Sequence, residues 1–369
     1  MISFYLIWGL GYLALLFWLS QKWPDSPFPG SDSTQSLPVT LIIPFRNEAA
    51  NAEKLISSLS ELSSSTIEIL LVDDHSEDGS LVLFQSLVKG HKHIQVLQSP
   101  GVGKKAALDF AISTAKSELI LTSDADCVFQ SGWVDQMRAP FSDPEIQLVS
   151  GPVVSAASPK SLFASFQQLE WCSILLLTQF GFAQRNPLMC SGANLAFRKS
   201  AFEAVKGYEG NAHFLSGDDE FLLKKIVMRF GSKSSKYLPF SEALVTTSAQ
   251  DSWRSLIRQR IRWAGKWKLH RDWLHSFAAI LAFLSQWVWL GSWVVVCFFS
   301  YPVALLLMVF SLKIVAEKLA LGKVAKHLGV KIAPWTFLFT SLAHPVYVVL
   351  VAIGSWSGNV TWKGRKSRI

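Results

Sequence analysis

Between residues 39 and 122 the spacing of apolar positions switches repeatedly from that of a strand to that of a helix. "VTLIIP" (Val39 to Pro44) is a β-branched run that predicts a strand, and Leu55, Leu59 and Leu62 then recur at helical spacing. "IEILLV" (Ile67 to Val72) predicts a second strand, which ends in Asp73-Asp74. Leu83, Phe84, Leu87 and Val88 predict a helix, "IQVL" (Ile94 to Leu97) a third strand, and Ala107, Leu108, Ala111 and Ile112 another helix. That helix leads into a fourth strand, Leu119 to Thr122, at the head of "LILTSDADCVF". Alternation at this pitch predicts an α/β fold, a mostly parallel sheet flanked by helices, whose ligands bind beyond the carboxyl ends of the strands. After Trp133 the pattern is less regular. "FASFQQLEWCSILLL" (Phe163 to Leu177) reads as an apolar helix, "SGANLAFRKSAF" (Ser191 to Phe202) as turn, strand and helix start, and "SGDDEFLLKKIVMRFG" (Ser216 to Gly231) as an acid-capped helix ending at glycine.

Outside this segment the pattern is that of a membrane. "ISFYLIWGLGYLALLFWLS" (Ile2 to Ser20) is uncharged and long enough to cross a hydrocarbon layer of roughly 30 Å. It has neither the basic start nor the small-residue cleavage site of a signal peptide, so an uncleaved anchor over 1–21 is expected. A polar linker over 22–38 contains "SDSTQSLP". Phe277 to Phe310 is almost unbroken apolar sequence interrupted at Ser300-Tyr301-Pro302, which predicts a helical hairpin. Trp335 to Trp356, broken by His344-Pro345, predicts a kinked span or a re-entrant element. Before the hairpin, "WRSLIRQRIRWAGKW" (Trp253 to Trp267) sets Trp253, Ile257, Ile261 and Ala264 on one stripe with arginines opposite, as in an interfacial helix. Its basic side chains suit phosphate equally well.

The domain order expected is an anchor (1–21), a linker (22–38), a catalytic domain (39–252), an interfacial helix (253–276) and a carboxyl-terminal membrane region with a basic tail (277–369). The 369 residues are 50% hydrophobic and 17% charged, which suits a soluble domain joined to membrane helices. The net charge of +8 comes largely from basic residues beside the apolar stretches, so anionic lipid, and no nucleic acid, is the expected partner. By the positive-inside rule, Lys22 and the basic run Arg258 to Arg271 place the central domain in the cytoplasm. Lys313, Lys318, Lys323, Lys326 and Lys331, read as a loop after the hairpin, also belong inside. The tail, Trp362 to Arg368, agrees only if the last apolar stretch does not cross, which stays open. Cys127, Cys172, Cys190 and Cys297 have no metal-binding spacing and read as reduced cytosolic thiols.

The candidate chemistry is acidic. Asp124 and Asp126 follow an apolar strand, and carboxylates that close repel unless a cation or a proton lies between them. Mg²⁺ or Mn²⁺ takes one or two carboxylates and completes its shell with phosphate and water, so a bound diphosphate would balance the site. "GVGKKAAL" (Gly101 to Leu108) is not a phosphate-binding P-loop, because Gln98 stands where the first glycine belongs and Lys105 where Ser or Thr should be. A lysine near a nucleotide phosphate and a solvated helix start remain alternatives there. "LSGDDE" (Leu215 to Glu220) crowds acids at a helix start, where they suit either capping or a general base.

In this order the pieces resemble a membrane-anchored family 2 glycosyltransferase with the GT-A (nucleotide-diphospho-sugar transferase) fold, from about Val39 to Trp263. "IIPFRNE" is similar to the family's opening P-x-x-N-E, on Pro44, Asn47 and Glu48. "VDDHSEDGS" is similar to its nucleotide segment, on Asp73, Asp74, Ser76 and Asp78, and "GKKAALDFAI" to its G-K-x-x-A-L helix start, on Lys104. "SDADC" matches the D-x-D metal motif, and "SGANLAFRKSAF" resembles the acceptor-side segment, on Asn194. "GDDEFLL" stands where T-E-D or G-E-D is common, which lays the catalytic aspartate on Asp219. "QRIRW" matches Q-x-x-R-W on Gln259, Arg262 and Trp263. His75 replaces a common glycine, and Asp218 the glutamate before the base.

The resemblance implies an inverting transfer from a UDP-sugar. Pro44, Asn47, Glu48, Asp73, Asp74, Lys104, Asp124, Gln259 and Arg262 would hold the nucleotide sugar. Asp124 and Asp126 would hold the metal. Asn194, Asp218 and Trp263 would meet the acceptor, and Asp219 would take its proton. The short carboxyl-terminal set of spans favours a lipid or lipid-linked acceptor over a processive cellulose-, chitin- or hyaluronan-like synthase, which is the alternative. A transporter or scaffold with a nucleotide-binding domain is the alternative of another class, but Phe277 to Phe310 carries no charge for a transport path. A nucleotidyltransferase would leave Q-x-x-R-W unexplained.

Overall fold

A computed structural model describes residues 2–25, 37–62, 67–156, 161–212, 214, 217–265, 273–298, 303–356, 359–363 and 365–368. The linker residues 31–36, the break at 300–302 and the basic stretch 266–272 lie outside these described residues. In chain order the elements begin α1 (Ile2–Ser20), β1 (Val39–Phe45), α2 (Ala52–Glu61), β2 (Ile67–Asp73), α3 (Ser80–Leu87), β3 (Ile94–Gln98), α4 (Lys104–Thr114), β4 (Leu119–Thr122) and β5 (Cys127–Val128). Then come α5 (Trp133–Arg138), β6 (Leu148–Ser150), β7 (Val153–Ser155), α6 (Leu162–Ala183), β8 (Leu195–Arg198), α7 (Lys199–Ala204), α8 (Asp218–Phe230), β9 (Ser235–Tyr237) and β10 (Val245–Thr247). The chain ends with α9 (Trp253–Ala264), α10 (Trp273–Phe298), α11 (Val303–His327), α12 (Pro334–Trp356), β11 (Asn359–Trp362) and β12 (Arg365–Arg368).

The chain forms two compact units, Pro24–Ala156 with Gly181–Ser248, and Met1–Trp23 with Ala157–Phe180 and Ala249–Ile369. The first of these holds a seven-stranded sheet in the order β3-β2-β1-β4-β8-β6-β9. β1 pairs in parallel with both β2 and β4, while β8 runs antiparallel to β4 and β6. Every residue of β1 and β4 is buried, which is why both read as continuous apolar runs rather than alternating ones. Ala107, Leu108, Ala111 and Ile112 of α4 and Leu222, Leu223 and Ile226 of α8 pack with Ile42, Leu70, Val72 and Ile120 in one core. Each fully buried leucine or isoleucine there stabilises the fold by about 1.5–3 kcal/mol. The helices predicted over 55–62, 83–88 and 107–112 correspond to α2, α3 and α4.

Register decides where the chemistry lies. Phe45 pairs with Asp73, Asp73 with Gln98, and Ile42 with Thr122, so the parallel strands end along one edge. From β1 the chain winds outward through β2 to β3, then returns to β4 on the other side of β1. That reversal is the switch point at which open α/β sheets bind ligands.

In the other unit α1 packs along α11. A Cβ on Gly9 would come within 2.8 Å of Leu312 Cδ1, so the two helices approach closely here and a larger residue would require that leucine side chain to turn aside. Tyr12 donates to Glu317 Oε1 at 3.2 Å, and Lys323 Nζ to the carbonyls of Ser20 and Trp23 at 3.2 and 3.0 Å. Three helices among the described residues are long and apolar enough to cross a membrane: Ile2–Ser20, Ile280–Phe298 and Pro334–Trp356. Their presence associates the chain with a membrane.

Three expectations are corrected here. Lys313, Lys318, Lys323 and Lys326 lie on helix α11, not in a loop. Lys313 pairs with Glu317 inside the unit, and Ser341 donates to the same carboxylate, so the buried charge on this helix is compensated, while Lys318 and Lys326 are exposed. His344-Pro345 does not break the last apolar stretch; α12 runs through Pro345, and Ser341 and Tyr347 on either side are tied to Glu317 and Glu170. The arginines of α9 are not all on an outer face, because Arg260 joins Leu256 as a buried residue of that helix. The basic tail forms an antiparallel strand pair, β11 with β12.

Candidate active site

The edge of the sheet collects the predicted residues of the Pro24–Ser248 unit. Pro44 is buried at the end of β1. Just beyond, Asn47 adopts a left-handed φ of 52°, which asparagine tolerates better than most residues. Its side-chain oxygen accepts from the Glu77 amide at 2.8 Å, and its own N–H donates to Ser76 Oγ at 3.0 Å. The Glu48 amide donates to Ser80 Oγ at 2.8 Å, and its carboxylate accepts from Asn51 Nδ2 at 2.6 Å. Asp73 accepts from the Ser76 amide at 3.1 Å, and Asp74 from the Gly103 amide at 2.7 Å. Gly103 has a φ of 105°, so glycine is required where this loop turns into α4. Buried Arg46 donates to the backbone carbonyls of Asp74 and His75. These bonds join the loops after β1, β2 and β3 into one rigid rim.

At the end of β4, Lys104 Nζ lies 2.8 Å from Asp124 Oδ1 and 3.0 Å from Asp218 Oδ2. Burial opposes the ammonium charge, but Asp124 and Asp218 outweigh it and hold the pKa well above the ordinary lysine value. Asp126 has the opposite problem. Burial, reinforced by the Asp124 charge, pushes its carboxyl up to about 6, against a bond of 2.9 Å from Thr247 Oγ1. Glu48 adds to the same upward push, so it lies electrostatically within this cluster. Two hard carboxylates, one of them reluctant to ionise, fit a hard divalent cation that neutralises both and takes its remaining ligands from phosphate and water. Among the described residues no group of three His, Cys, Asp or Glu could hold an ion by itself.

Next to this pair stands the start of α8. Gly217, at φ 85°, turns the chain into the helix, and Asp218, Asp219 and Glu220 fill its first turn. Asp218 is buried against Lys104, and Glu220 is buried 3.5 Å from Lys224. Asp219 is the most exposed of the three, half-buried. Its Oδ2 accepts from the Gly192 amide at 2.9 Å and its Oδ1 from the Glu220 amide at 2.7 Å. Gly192 is needed at this spot: a Cβ there would stand 2.7 Å from Asp218 Oδ2 and 3.4 Å from Lys104 Nζ. Its carbonyl accepts from Thr122 Oγ1 at 3.0 Å, which ties the 191–194 turn to β4.

The structure therefore brings Lys104, Asp124, Asp126, Asp218 and Asp219 together on the strand ends, with Asp73, Asp74 and Glu48 on the adjoining rim. Asn194 corrects the reading as an acceptor ligand. It is fully buried; its amide donates to the carbonyls of Pro152 and Ala243 at 2.8 and 2.7 Å, and its oxygen accepts from Trp133 Nε1 at 3.0 Å. Asp218, expected at the acceptor, is turned inward to Lys104. Of the lysine pair Lys104 reaches Asp124 and Asp218, while Lys105 is buried, donating to the Asn211 carbonyl at 2.6 Å beside Phe214 and Phe221. Sequence reasoning missed Gly192 and Thr247. The first lies inside "SGANLAFR" and could have been flagged as a position of close approach; the second carries no signal, because only the pairing of β10 with β5 brings it to Asp126.

Gln259, Arg262 and Trp263 lie on α9 of the membrane-associated unit. Ser252 caps that helix, accepting from the Ser255 amide at 3.2 Å. The Trp263 ring meets Trp171 edge to face, with centroids 5.5 Å apart, and the Arg260 guanidinium lies 4.1 Å from the Trp263 centroid.

Comparison with known proteins agrees with this geometry. Residues 40–206 match the family model described as glycosyl transferase family 2. Among curated relatives, a pre-mycofactocin glycosyltransferase of Mycobacterium tuberculosis is 27% identical over 197 residues, covering 51% of this chain and 39% of that protein. The match thus spans about two-fifths of that relative's length. A poly-beta-1,6-N-acetyl-D-glucosamine synthase of Staphylococcus epidermidis is 24% identical over 318 residues, 80% of this chain and 72% of the synthase. Among solved structures, a mannosyltransferase from Pyrobaculum calidifontis in complex with GDP-Man and Mn²⁺ has the same fold, with a TM-score of 0.57 over 96% of this chain and 98% of that one at 18% identity. The strand ends and acids described above thus sit on a GT-A scaffold, and the match over residues 40–206, with the glycosyltransferase relatives, supports a family 2 glycosyltransferase.

Proposed function

We propose that the protein moves a sugar from a UDP-sugar to the hydroxyl of a lipid or lipid-linked acceptor, with inversion, at the cytoplasmic face of the cell inner membrane. The observation that carries this reading is the half-buried carboxylate of Asp219 beside the cluster of Lys104, Asp124, Asp126 and Asp218. Pro44, Asn47, Glu48, Asp73 and Asp74 form the nucleotide rim. A divalent cation, Mg²⁺ or Mn²⁺, held by Asp124 and Asp126 would supply positive charge beside the leaving diphosphate. Lys104 is fixed by two carboxylates within reach of the same phosphates. Asp219, whose orientation is set by the amides of Gly192 and Glu220, takes the proton of the acceptor hydroxyl as its oxygen attacks the anomeric carbon. Gln259 and Arg262 bind the diphosphate, and Trp263 stacks on the acceptor.

The apolar spans beside a basic, tryptophan-bearing helix support an acceptor presented at the bilayer surface, and Lys22 supports the cytoplasmic side. Replacing Asp219 by Asn keeps its shape and removes its basicity. Transfer should fall by about 10²–10⁴-fold, the usual worth of a general base, while UDP binding stays within about twofold. Retained turnover rejects the assignment. A processive synthase is the second reading, favoured by the relative in Staphylococcus epidermidis. With radiolabelled UDP-sugar, a single short lipid product supports the first reading and a ladder the second.

A further inference from the structure

Two residues of "QRIRW", Arg260 and Ile261, carry no assigned role, and the charged one is the puzzle. Arg260 falls between the motif's fixed positions, is only 5% exposed, and sits one turn after buried Leu256 on the inner stripe of α9. Its Nε donates to Glu170 Oε1 at 2.7 Å, and Nη2 donates to Glu170 Oε2, a two-pronged pair with the carboxylate on α6. Tyr347 of α12 donates to the same Glu170 Oε1 at 2.8 Å. A buried ion pair of this kind contributes little net stability, because desolvation of both charges offsets their attraction, and an apolar residue would fill the stripe as well. The cost needs another explanation.

The remaining contacts of the guanidinium supply one. Nη1 donates to the side-chain oxygen of Gln259, and the plane lies 4.1 Å from the centroid of Trp263 and 5.2 Å from that of Trp171. A guanidinium has donors and no acceptor, so the Gln259 atom facing it must be the carbonyl oxygen. The amide nitrogen is then directed away from Arg260, as a donor of two hydrogen bonds. The same guanidinium occupies one face of Trp263, so a sugar ring that stacks on this tryptophan must use the other.

We propose that Arg260, clamped by Glu170 and Tyr347, is a positioning residue that presets the Gln259 amide as a donor and the Trp263 ring as a one-sided platform. This rests on the reading of Gln259 and Trp263 as substrate-binding residues. It predicts that the Gln259 ligand is an acceptor of hydrogen bonds, as phosphate oxygens are. It also assigns Glu170 and Tyr347, far from the motif in sequence, to the same transfer step.

The test uses the full-length protein in detergent with UDP-sugar, Mn²⁺ and a lipid acceptor. The double variant Arg260→Met with Glu170→Gln removes both charges of the buried pair, so it should leave the unfolding midpoint and the KM for the donor nearly unchanged, while kcat falls by about tenfold or more, the signature of an interaction lost in the transition state alone. Arg260→Lys and Tyr347→Phe, milder changes at the same clamp that keep the charge pair, should show the same split at smaller size, and they decide the matter if the double variant does not fold. In a background carrying both Gln259→Ala and Trp263→Ala, the same double variant should cost less than about twofold further, because residues acting through one another are not additive. An equal loss in both backgrounds, or a parallel loss of stability and donor binding in the milder variants, overturns the proposal. If Gln259→Ala and Trp263→Ala both transfer at the wild-type rate, the substrate-binding reading of the motif itself fails, and the clamp's role falls with it. That outcome is distinct from a failure of the clamp alone.

Discussion

Asn194→Ala separates two roles that the sequence alone could not. If the amide meets an acceptor, its removal should slow transfer and leave folding untouched. The structure puts it elsewhere: two donated bonds to the Pro152 and Ala243 carbonyls and one accepted from Trp133 Nε1, all within a fully buried site. Each bond contributes about 1 kcal/mol net, and stranding the buried indole N–H and two carbonyls adds desolvation cost of about 1–3 kcal/mol per group that water fails to reach. A loss of about 4 kcal/mol is therefore expected. In a unit of roughly 200 residues each kcal/mol moves the midpoint by about 2–4 °C, so the drop should be about 8–16 °C. Thermal unfolding of the purified protein, followed by near-ultraviolet circular dichroism, reads this directly, since Trp133 is the residue whose environment changes. Activity measured well below the new midpoint should stay within a few-fold of wild type. A variant that melts like the parent but transfers poorly would refute the anchoring role and restore the acceptor contact.

Gly192→Ala should act in the opposite sense, because its Cβ would press on Asp218 Oδ2 at 2.7 Å beside Lys104; transfer should fall at least about tenfold with little loss of stability, and wild-type kcat would contradict the close approach. Because the Asp126 pKa is raised to about 6, a divalent ion binding below that pH must displace a proton. Calorimetry with Mn²⁺ should show affinity rising about tenfold per pH unit up to about 6 and then levelling, and a flat profile from pH 5 to 7 would exclude this. By the same linkage the metal-free fold draws its Asp126 contribution fully below the ordinary aspartate value and loses it as pH rises through about 6. Lys313→Met should destabilise the membrane-associated unit by about 3–5 kcal/mol by stranding Glu317, and adding Glu317→Gln should recover most of it; equal stability of single and double variants in a detergent unfolding titration would count against a coupled pair.

The strands were legible because central parallel strands are apolar on both faces, as the short runs Val39 to Pro44 and Leu119 to Thr122 are. The acids were legible for the same reason: charge that follows such a run has to lie at the strand's end. What could not be read were roles decided by distant partners. Arginine on a helix is expected to face water, and only Glu170, ninety positions upstream, turns Arg260 inward. Asn194 occupies a motif position, yet Trp133 and the carbonyls of Pro152 and Ala243 determine that it is a brace. On α11 the density of lysines suggested a loop, because Tyr12 and Ser341, which bind the Glu317 partner of Lys313, come from helices that sequence does not bring near it.

The packing of Gly9, Tyr12 and Ser20 of α1 against Leu312, Glu317 and Lys323 of α11 has a consequence for biosynthesis. Helix α1 finds its mate only after some three hundred further residues have been made, roughly a quarter of a minute to a minute at ordinary elongation speed. Until then its aromatic flank is lodged in lipid or guarded by an insertion factor, while the α/β unit encoded between the two helices has time to fold first. Delayed closure makes the newborn anchor the stage at which quality control has most opportunity to intervene.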